Sequence, residues 1–285
     1  NISGLTASIE LDLTWSKMEK ANIIKVGGST LGRHDTTIED IVTLQQQGKR
    51  LVVVHGGAKI VTNWLARQNI ASQFVRGERV TDEASLDVII AVLAGLINKD
   101  IVADISGRGG RAIGLSGVDG TLIKGKIREP EMGYVGTVTR VDTVLLETLL
   151  RTGFVPVVAP VSFNSNFTKI HQQTNTSKIL NINADIVAGE IAAAIETERL
   201  IFLTDVTGIL DREGELLPQL LYGEAKALVT SGVASGGMIP KINACLKALS
   251  NTSTTSIIDG RQPHALLREL KGQGGGTTIK ALFGE

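Results

Sequence analysis

A single cysteine, Cys245, is present among 285 residues, which excludes an intrachain disulfide and any cysteine-rich zinc site. It lies in the apolar run Ala244-Cys245-Leu246 and reads as a packed core thiol. The four histidines, His34, His55, His171 and His264, show no metal-ligand spacing, and His55 reads as structural. Neither sign of charge prevails, with 29 basic residues against 29 acidic ones, which argues against a nucleic-acid or membrane-surface binder. No apolar run reaches the roughly 18 residues of a membrane span. The first 20 residues carry Glu10, Asp12 and Glu19 and lack a secretory pattern, so a cytoplasmic protein is expected. On that expectation the Asn-x-Ser/Thr triplets at Asn1, Asn166, Asn175 and Asn251 are chance matches. There is no internal repeat.

What is present is an ordinary globular balance, 42% hydrophobic and 20% charged, in a chain long enough for one large α/β domain or two closely fused lobes. Apolar runs of strand length recur at 22–26, 51–55, 112–115, 155–161, 200–203 and 255–258. Helix-period segments lie between several of them, at 58–68, 83–104, 142–152, 185–197, 223–232 and 240–250. That alternation predicts crossover units and a mainly parallel sheet covered by helices. Leu51-Val52-Val53-Val54 and Val155-Pro156-Val157-Val158 are continuously apolar, as strands buried on both faces are. Residues 1–20 match no clear pattern, and the polar stretch 162–178 reads as a long surface loop.

Two strands run straight into glycine pairs, Ile23-Ile24-Lys25-Val26-Gly27-Gly28 and Leu51-Val52-Val53-Val54-His55-Gly56-Gly57. Glycine lets backbone N–H groups converge on an anion with no Cβ in the way, and a helix beyond adds its positive dipole end. A lysine at a strand end adds a cation. Generic nucleotide motifs fail: Gly120 to Lys126 has Gly-x-x-x-x-Gly-Lys, but Ile127 replaces the Ser/Thr that would hold magnesium. Gly107-Arg108-Gly109-Gly110-Arg111-Ala112 fits a relaxed dinucleotide fingerprint, but helical-looking Asn98–Ile105 precedes it where a strand is required.

Beside the glycine pairs stand Gly77-Glu78-Arg79-Val80-Thr81-Asp82, Gly114-Leu115-Ser116-Gly117-Val118-Asp119-Gly120, Asn181-Ile182-Asn183-Ala184-Asp185, Leu203-Thr204-Asp205-Val206-Thr207-Gly208 and Gly236-Gly237-Met238-Ile239-Pro240-Lys241. In this order and spacing the chain resembles the amino-acid kinase family from residue 22 to about 280, and within it the enzymes that phosphorylate N-acetyl-L-glutamate. The resemblance implies a three-layer αβα sandwich with a mainly parallel central sheet. It also implies an acceptor lobe at 21–197, an ATP lobe at 198–285 and an N-terminal extension at 1–20. Lys25 and Lys241 match the family's two transition-state lysines, and Asp185 matches the acidic residue that orients them without serving as a base. For the acceptor, Arg79 matches the clamp on the α-carboxylate, Asn181 the binding asparagine, and Gly56 and Gly57 the backbone donors; a surface ion pair with Asp82 is the plain alternative for Arg79, and simple tight turns for the glycines. For ATP the matching residues are Gly27, Gly28, Thr204, Asp205, Val206, Gly208, Gly236, Gly237 and Met238. Magnesium would arrive with ATP and be held mainly by phosphate oxygens.

Some positions depart from the family. Ala58-Lys59 stands where Gly-Pro is usual, Glu78 where leucine is usual, and the polar 162–178 stretch is longer than the usual loop. Arginine-inhibited hexameric members carry an N-terminal kinked helix and a Glu-x-Phe-Thr-type stretch. Arg268–Thr277 lacks the Phe-Thr, so an arginine-insensitive homodimer is expected. Two rival readings are a carrier-protein-linked aminoadipate kinase, hinted at by Lys59, Arg67 and Arg76, and a catalytically silent ligand sensor on the same fold. Retention of both lysines and Asp185 argues against the sensor.

Overall fold

In the computed structural model, the described residues are 19–28, 36–75, 77–167 and 177–281. The expected N-terminal extension therefore lies almost wholly outside them, as do Arg76, His34, His171 and the middle of the polar 162–178 stretch.

The amino-terminal strands are β1 (Ala21–Val26), β2 (Leu51–His55), the short hairpin β3 (Phe74–Val75) and β4 (Glu78–Arg79), and β5 (Ala112–Gly117). Between them lie α1 (Thr37–Gln46), α2 (Ala58–Arg67), α3 (Glu83–Ile90) and α4 (Asn98–Gly107). A hairpin of β6 (Ile123–Ile127) and β7 (Gly136–Val141) leads into α5 (Val144–Arg151), β8 (Val155–Asn164) and β9 (Ile179–Asn181). The remainder is α6 (Ala184–Ala194), β10 (Thr197–Thr204), β11 (Gln219–Leu221), α7 (Tyr222–Thr230), α8 (Met238–Ala248), β12 (Thr254–Asp259), α9 (Ala265–Leu270) and β13 (Gly276–Lys280).

One large sheet runs β11-β13-β12-β10-β1-β2-β8-β6-β7, with β5 and β9 also paired to β8. Its centre is parallel, β1 lying between β10 and β2; the antiparallel pairs, β12–β13, β6–β7 and β8–β9, lie away from it. Alternation along the strands feeds two cores. Ile23 and Phe202 point to the face covered by α5, α6 and α8, and Ile24, Val53 and Ile201 to the face covered by α1–α4. The αβα expectation holds.

Three local expectations need correction. The segment 83–104 is not one α-helix: Ala91–Ile97 between α3 and α4 is π-helical. Residues 162–164 are not surface loop but the buried end of β8, where Asn164 receives backbone partners from Ser177 and Lys178. Helix α1 and the β6–β7 hairpin fell outside the apolar runs. In contrast, the thiol of Cys245 is fully buried, and burial pushes it up to about 12.

Candidate active site

Period-two alternation puts Lys25 on the same face of β1 as Ile23, under the start of α6. Asn183 caps that helix, its side chain accepting from the Asp185 N–H, so Asp185 occupies the first turn, where the helix dipole favours a carboxylate. Lys25 Nζ lies 2.7 Å from Asp185 Oδ1, with the two side chains 9% and 6% exposed. The other carboxylate oxygen, Oδ2, accepts from Lys241 Nζ at 3.1 Å, and that ammonium also donates to the Gly237 carbonyl at 3.2 Å. Burial by itself would raise the Asp185 carboxyl. The Lys25 and Lys241 ammonium groups outweigh it and hold the carboxyl below the ordinary range. Two cations on one carboxylate leave a surplus positive charge at the carboxyl end of the sheet, where open α/β sheets bind ligands.

The two glycine pairs meet beside Lys25. Gly56 N–H donates to the Val26 carbonyl at 3.0 Å, and a Cβ on Gly28 would sit 3.3 Å from the Gly57 Cα. A Cβ on Gly57 would fall 2.3 Å from Ile97 Cδ1 and 2.8 Å from Leu93 Cδ2, so these backbones approach each other and the π-helical segment only as glycine. Gly27 N–H ties this turn to the Leu203 carbonyl.

A cavity of about 260 Å³ opens here, lined by Lys25, Gly28, Gly56, Gly57, Arg79, Asn181 and Asp185, with Val61, Ile89, Leu93 and Val135 as its apolar part. Arg79 is buried, not a surface partner of Asp82: its guanidinium donates to Ser72 Oγ, Thr62 Oγ1 and the Ala58 carbonyl and lies 4.7 Å from the centroid of the Phe74 ring. Asp82 caps α3 through the Ser85 N–H. Asn181 Nδ2 donates to Thr81 Oγ1 at 3.1 Å, and the backbones of Thr81, Tyr134 and Asn181 join β4, the β6–β7 hairpin and β9. Glu78, the departure beside Arg79, spends its charge on Arg128 Nη1 at 2.7 Å. The roles of Thr81 and Arg128 escaped the sequence reading, because nothing in their local pattern marks a residue whose partner is fifty or a hundred positions away.

Three comparisons now bear on this arrangement. Residues 20–259 match the amino acid kinase family. The chain belongs to the amino acid kinase family. A protein of Dehalococcoides mccartyi (strain CBDB1) named acetylglutamate kinase is 49% identical over 90% of this chain and 93% of its own. One so named from Campylobacter curvus is 43% identical over 92% of each. Among solved structures, the N-acetylglutamate synthase of Neisseria gonorrhoeae, complexed with coenzyme A and N-acetyl-glutamate, superposes with a TM-score of 0.77 at 25% identity, over 92% of this chain and 59% of that one. Carbamate kinase of Giardia lamblia bound to AMP-PNP has a TM-score of 0.66 at 14% identity, over 92% of this chain and 98% of that one.

The residues that resemblance to the amino acid kinase family assigns to ATP sit differently from those around the cavity. Thr204 is buried at the end of β10, its Oγ1 exchanging hydrogen bonds with Val206, while Asp205 and Val206 are exposed. Gly208 is buried against Leu216 and Thr277, and Gly236, at φ 53°, leads through Gly237 and Met238 into α8. Of the residues assigned to ATP only Gly28 lines the cavity, and Lys241, through Asp185, joins the others to it. Among the described residues no three of His, Cys, Asp and Glu are grouped so as to hold a metal, and no helix is long and apolar enough to cross a membrane.

Proposed function

We propose that the protein transfers the γ-phosphoryl group of ATP to the side-chain carboxylate of N-acetyl-L-glutamate, giving N-acetyl-L-glutamyl 5-phosphate and ADP in arginine biosynthesis. The observation that carries this reading is Asp185 held between Lys25 and Lys241 beside the cavity, in a chain 41–49% identical to several proteins named acetylglutamate kinase. A carboxylate oxygen attacks the γ-phosphorus as the bond to the bridging β,γ oxygen breaks, and no proton moves, because the acceptor is already ionised at neutral pH. Lys25 and Lys241 take up the charge that develops on the transferring group. Asp185 fixes where their ammonium groups stand, so little reorganisation is needed at the moment of reaction.

Arg79 clamps the α-carboxylate with its guanidinium fork, Asn181 holds the acceptor's amide region, and Gly57 offers its N–H, that of Gly56 being donated to the Val26 carbonyl. The apolar lining from Val61, Leu93 and Val135 suits the acetyl methyl group. On the nucleotide side Gly27 and Gly28 approach the phosphates, Gly236, Gly237 and Met238 put the N-terminus of α8 toward them, and Thr204, Asp205, Val206 and Gly208 frame the adenosine. Both Asp185 oxygens are engaged by lysines, so the residues present fit magnesium carried in by the phosphate oxygens, where it neutralises phosphate charge. The same reading gives a cytoplasmic homodimer, whose oligomeric state light scattering checks.

A coupled ADP-release assay with magnesium-ATP and N-acetyl-L-glutamate, with hydroxylamine trapping the acyl phosphate, tests the reaction. Hydroxamate formed by the protein and lost in Lys241→Ala supports it; ADP release without hydroxamate, or no turnover, rejects this acceptor.

A further inference from the structure

His55, the buried histidine at the end of β2, is hydrogen-bonded on both ring nitrogens, and the partners decide its state. Nδ1 lies 3.0 Å from the Gly56 carbonyl, an acceptor only, so Nδ1 carries the proton. Nε2 lies 3.2 Å from Asn98 Nδ2. That atom must be the amide nitrogen, because it also faces the carbonyls of Val157 at 2.8 Å and Leu115 at 3.2 Å, its two hydrogens shared among three acceptors, while Asn98 Oδ1 accepts from Lys99 Nζ. Nε2 is therefore the acceptor, and the imidazole is neutral in a single tautomer. Burial first, and the charge of Lys25 as well, push its pKa down to about 4, against the Gly56 hydrogen bond that raises it.

Asn98 owes its position to the π-helical segment Ala91–Ile97 that precedes it. The extra residue of a π turn rotates everything after it by about 100° relative to an uninterrupted α-helix. The same segment supplies Leu93 and Ile97, the side chains against which Gly57 packs with no room for a Cβ. One local irregularity thus bears on both residues of the glycine pair, through packing at Gly57 and, at Gly56, through a chain of two hydrogen bonds, Asn98 to His55 and His55 to the Gly56 carbonyl.

We propose that His55 and Asn98 are positioning residues that fix the peptide orientation of the Gly56–Gly57 turn: the imidazole pulls the Gly56 carbonyl toward β2 and leaves the N–H of Gly57 aimed at the bound anion. The turn's role in catalysis rests on the function proposed above, whereas the hydrogen-bond relay is a property of the free protein. A histidine serving only as core volume would tolerate any side chain of similar size. A relay requires a donor at the Nδ1 position.

Nitrogen-15 NMR of the ring, with the His55 signals assigned by their loss in His55→Asn, reads the tautomer without substrate. The expected result is a neutral ring with Nδ1 protonated from pH 5.5 to 8; an Nε2-protonated ring, or imidazolium at pH 6.5, overturns the proposal. Kinetics then separate donor position from volume, because the asparagine amide nitrogen overlays Nδ1 and that of glutamine overlays Nε2. With melting temperature as the control for folding, His55→Gln and His55→Leu should lower kcat/KM for the acceptor by about 10–100-fold, and His55→Asn by less than about threefold, on the scale of lost outer-shell partners. Equal losses in the asparagine and glutamine variants overturn the relay. If the wild-type protein turns over no N-acetyl-L-glutamate, the functional reading falls, and the ring tautomer alone decides the relay.

Discussion

The two sides of the site are built by different means. Around the cavity the chain places buried or half-buried side chains whose partners are already in contact: Lys25 with Asp185, Arg79 with Ser72 and Thr62, Asn181 with Thr81. On the side assigned to ATP the groups on offer are backbone at a helix start, the exposed Asp205 and Val206, and Lys241, at 19% exposed more open than Lys25. Buried, hydrogen-bonded charge discriminates among acceptors because a wrong ligand leaves it unpaired. Backbone and helix ends accept a phosphate chain whatever base it carries. On the residue roles proposed above, selectivity for the acceptor is invested in side chains, and hold on the nucleotide in chain geometry.

The strongest way to break this division is at the residue that joins the halves. Lys241→Ala should lower kcat by about 10²–10³ and change neither KM more than a few-fold, since the lost interaction belongs to the transition state; steady-state kinetics with both substrates varied would show it. A rise confined to the KM for ATP would make Lys241 a nucleotide-side residue only.

Acid should loosen the cavity side first. Between pH 6.5 and about 4 the unfolded chain takes up the His55 proton that the folded chain refuses, so stability rises with pH across that window, by about 3 kcal/mol, and is fully present above it. Asp185 works in the same direction at lower pH, its depressed carboxyl contributing stability that disappears as pH falls through its folded value. Urea melts of the wild type and His55→Asn from pH 4 to 7 check this. Parallel stability curves for the two proteins would remove His55 from the account.

Arg79→Lys should raise the acceptor KM by about 10–100-fold, the scale of one or two lost charge-assisted hydrogen bonds, and leave the KM for ATP alone. The smallest effect belongs to the nucleotide side. Gly236 sits at φ 53° with open space around its Cα, so Gly236→Ala strains the backbone by about 1 kcal/mol and should raise the KM for ATP a few-fold without touching the acceptor. If Arg79→Lys and Gly236→Ala moved both KM values together, the division would be wrong.

Strand–Gly-Gly pairs, the strand-borne lysine and the Asn-x-Asn-Ala-Asp helix start were all legible in the sequence because each is local: a few neighbouring residues carry both the structure and the chemistry. The π-helical turn was not, since Ile89, Ile90, Val92 and Leu93 are apolar around the whole helix and a one-residue slip of register leaves no gap in the pattern. Nor was the β6–β7 hairpin, whose Lys124, Lys126 and Arg140 interrupt the apolar run and mask strands that place Arg128 beside Glu78 and Val135 in the cavity. Ser162 and Asn164 read as loop on composition and lie buried because the returning chain at Ser177–Lys178 satisfies Asn164. Long-range partners of this kind are set by topology, which a single pass along the chain does not reveal.

The place of β1 in the sheet also has a consequence for biosynthesis. One of its neighbours, β2, follows within thirty residues, but the other, β10, begins with Thr197, the partner of Ala21. At roughly 5–20 residues per second of synthesis, the Ile23-Ile24-Lys25-Val26 edge waits about ten seconds or more before the chain that covers it exists. An apolar strand left open that long is a template for pairing with another nascent chain, and a charge set within it is one of the devices by which proteins blunt such edges. Lys25 meets that need long before there is an Asp185 for it to pair with.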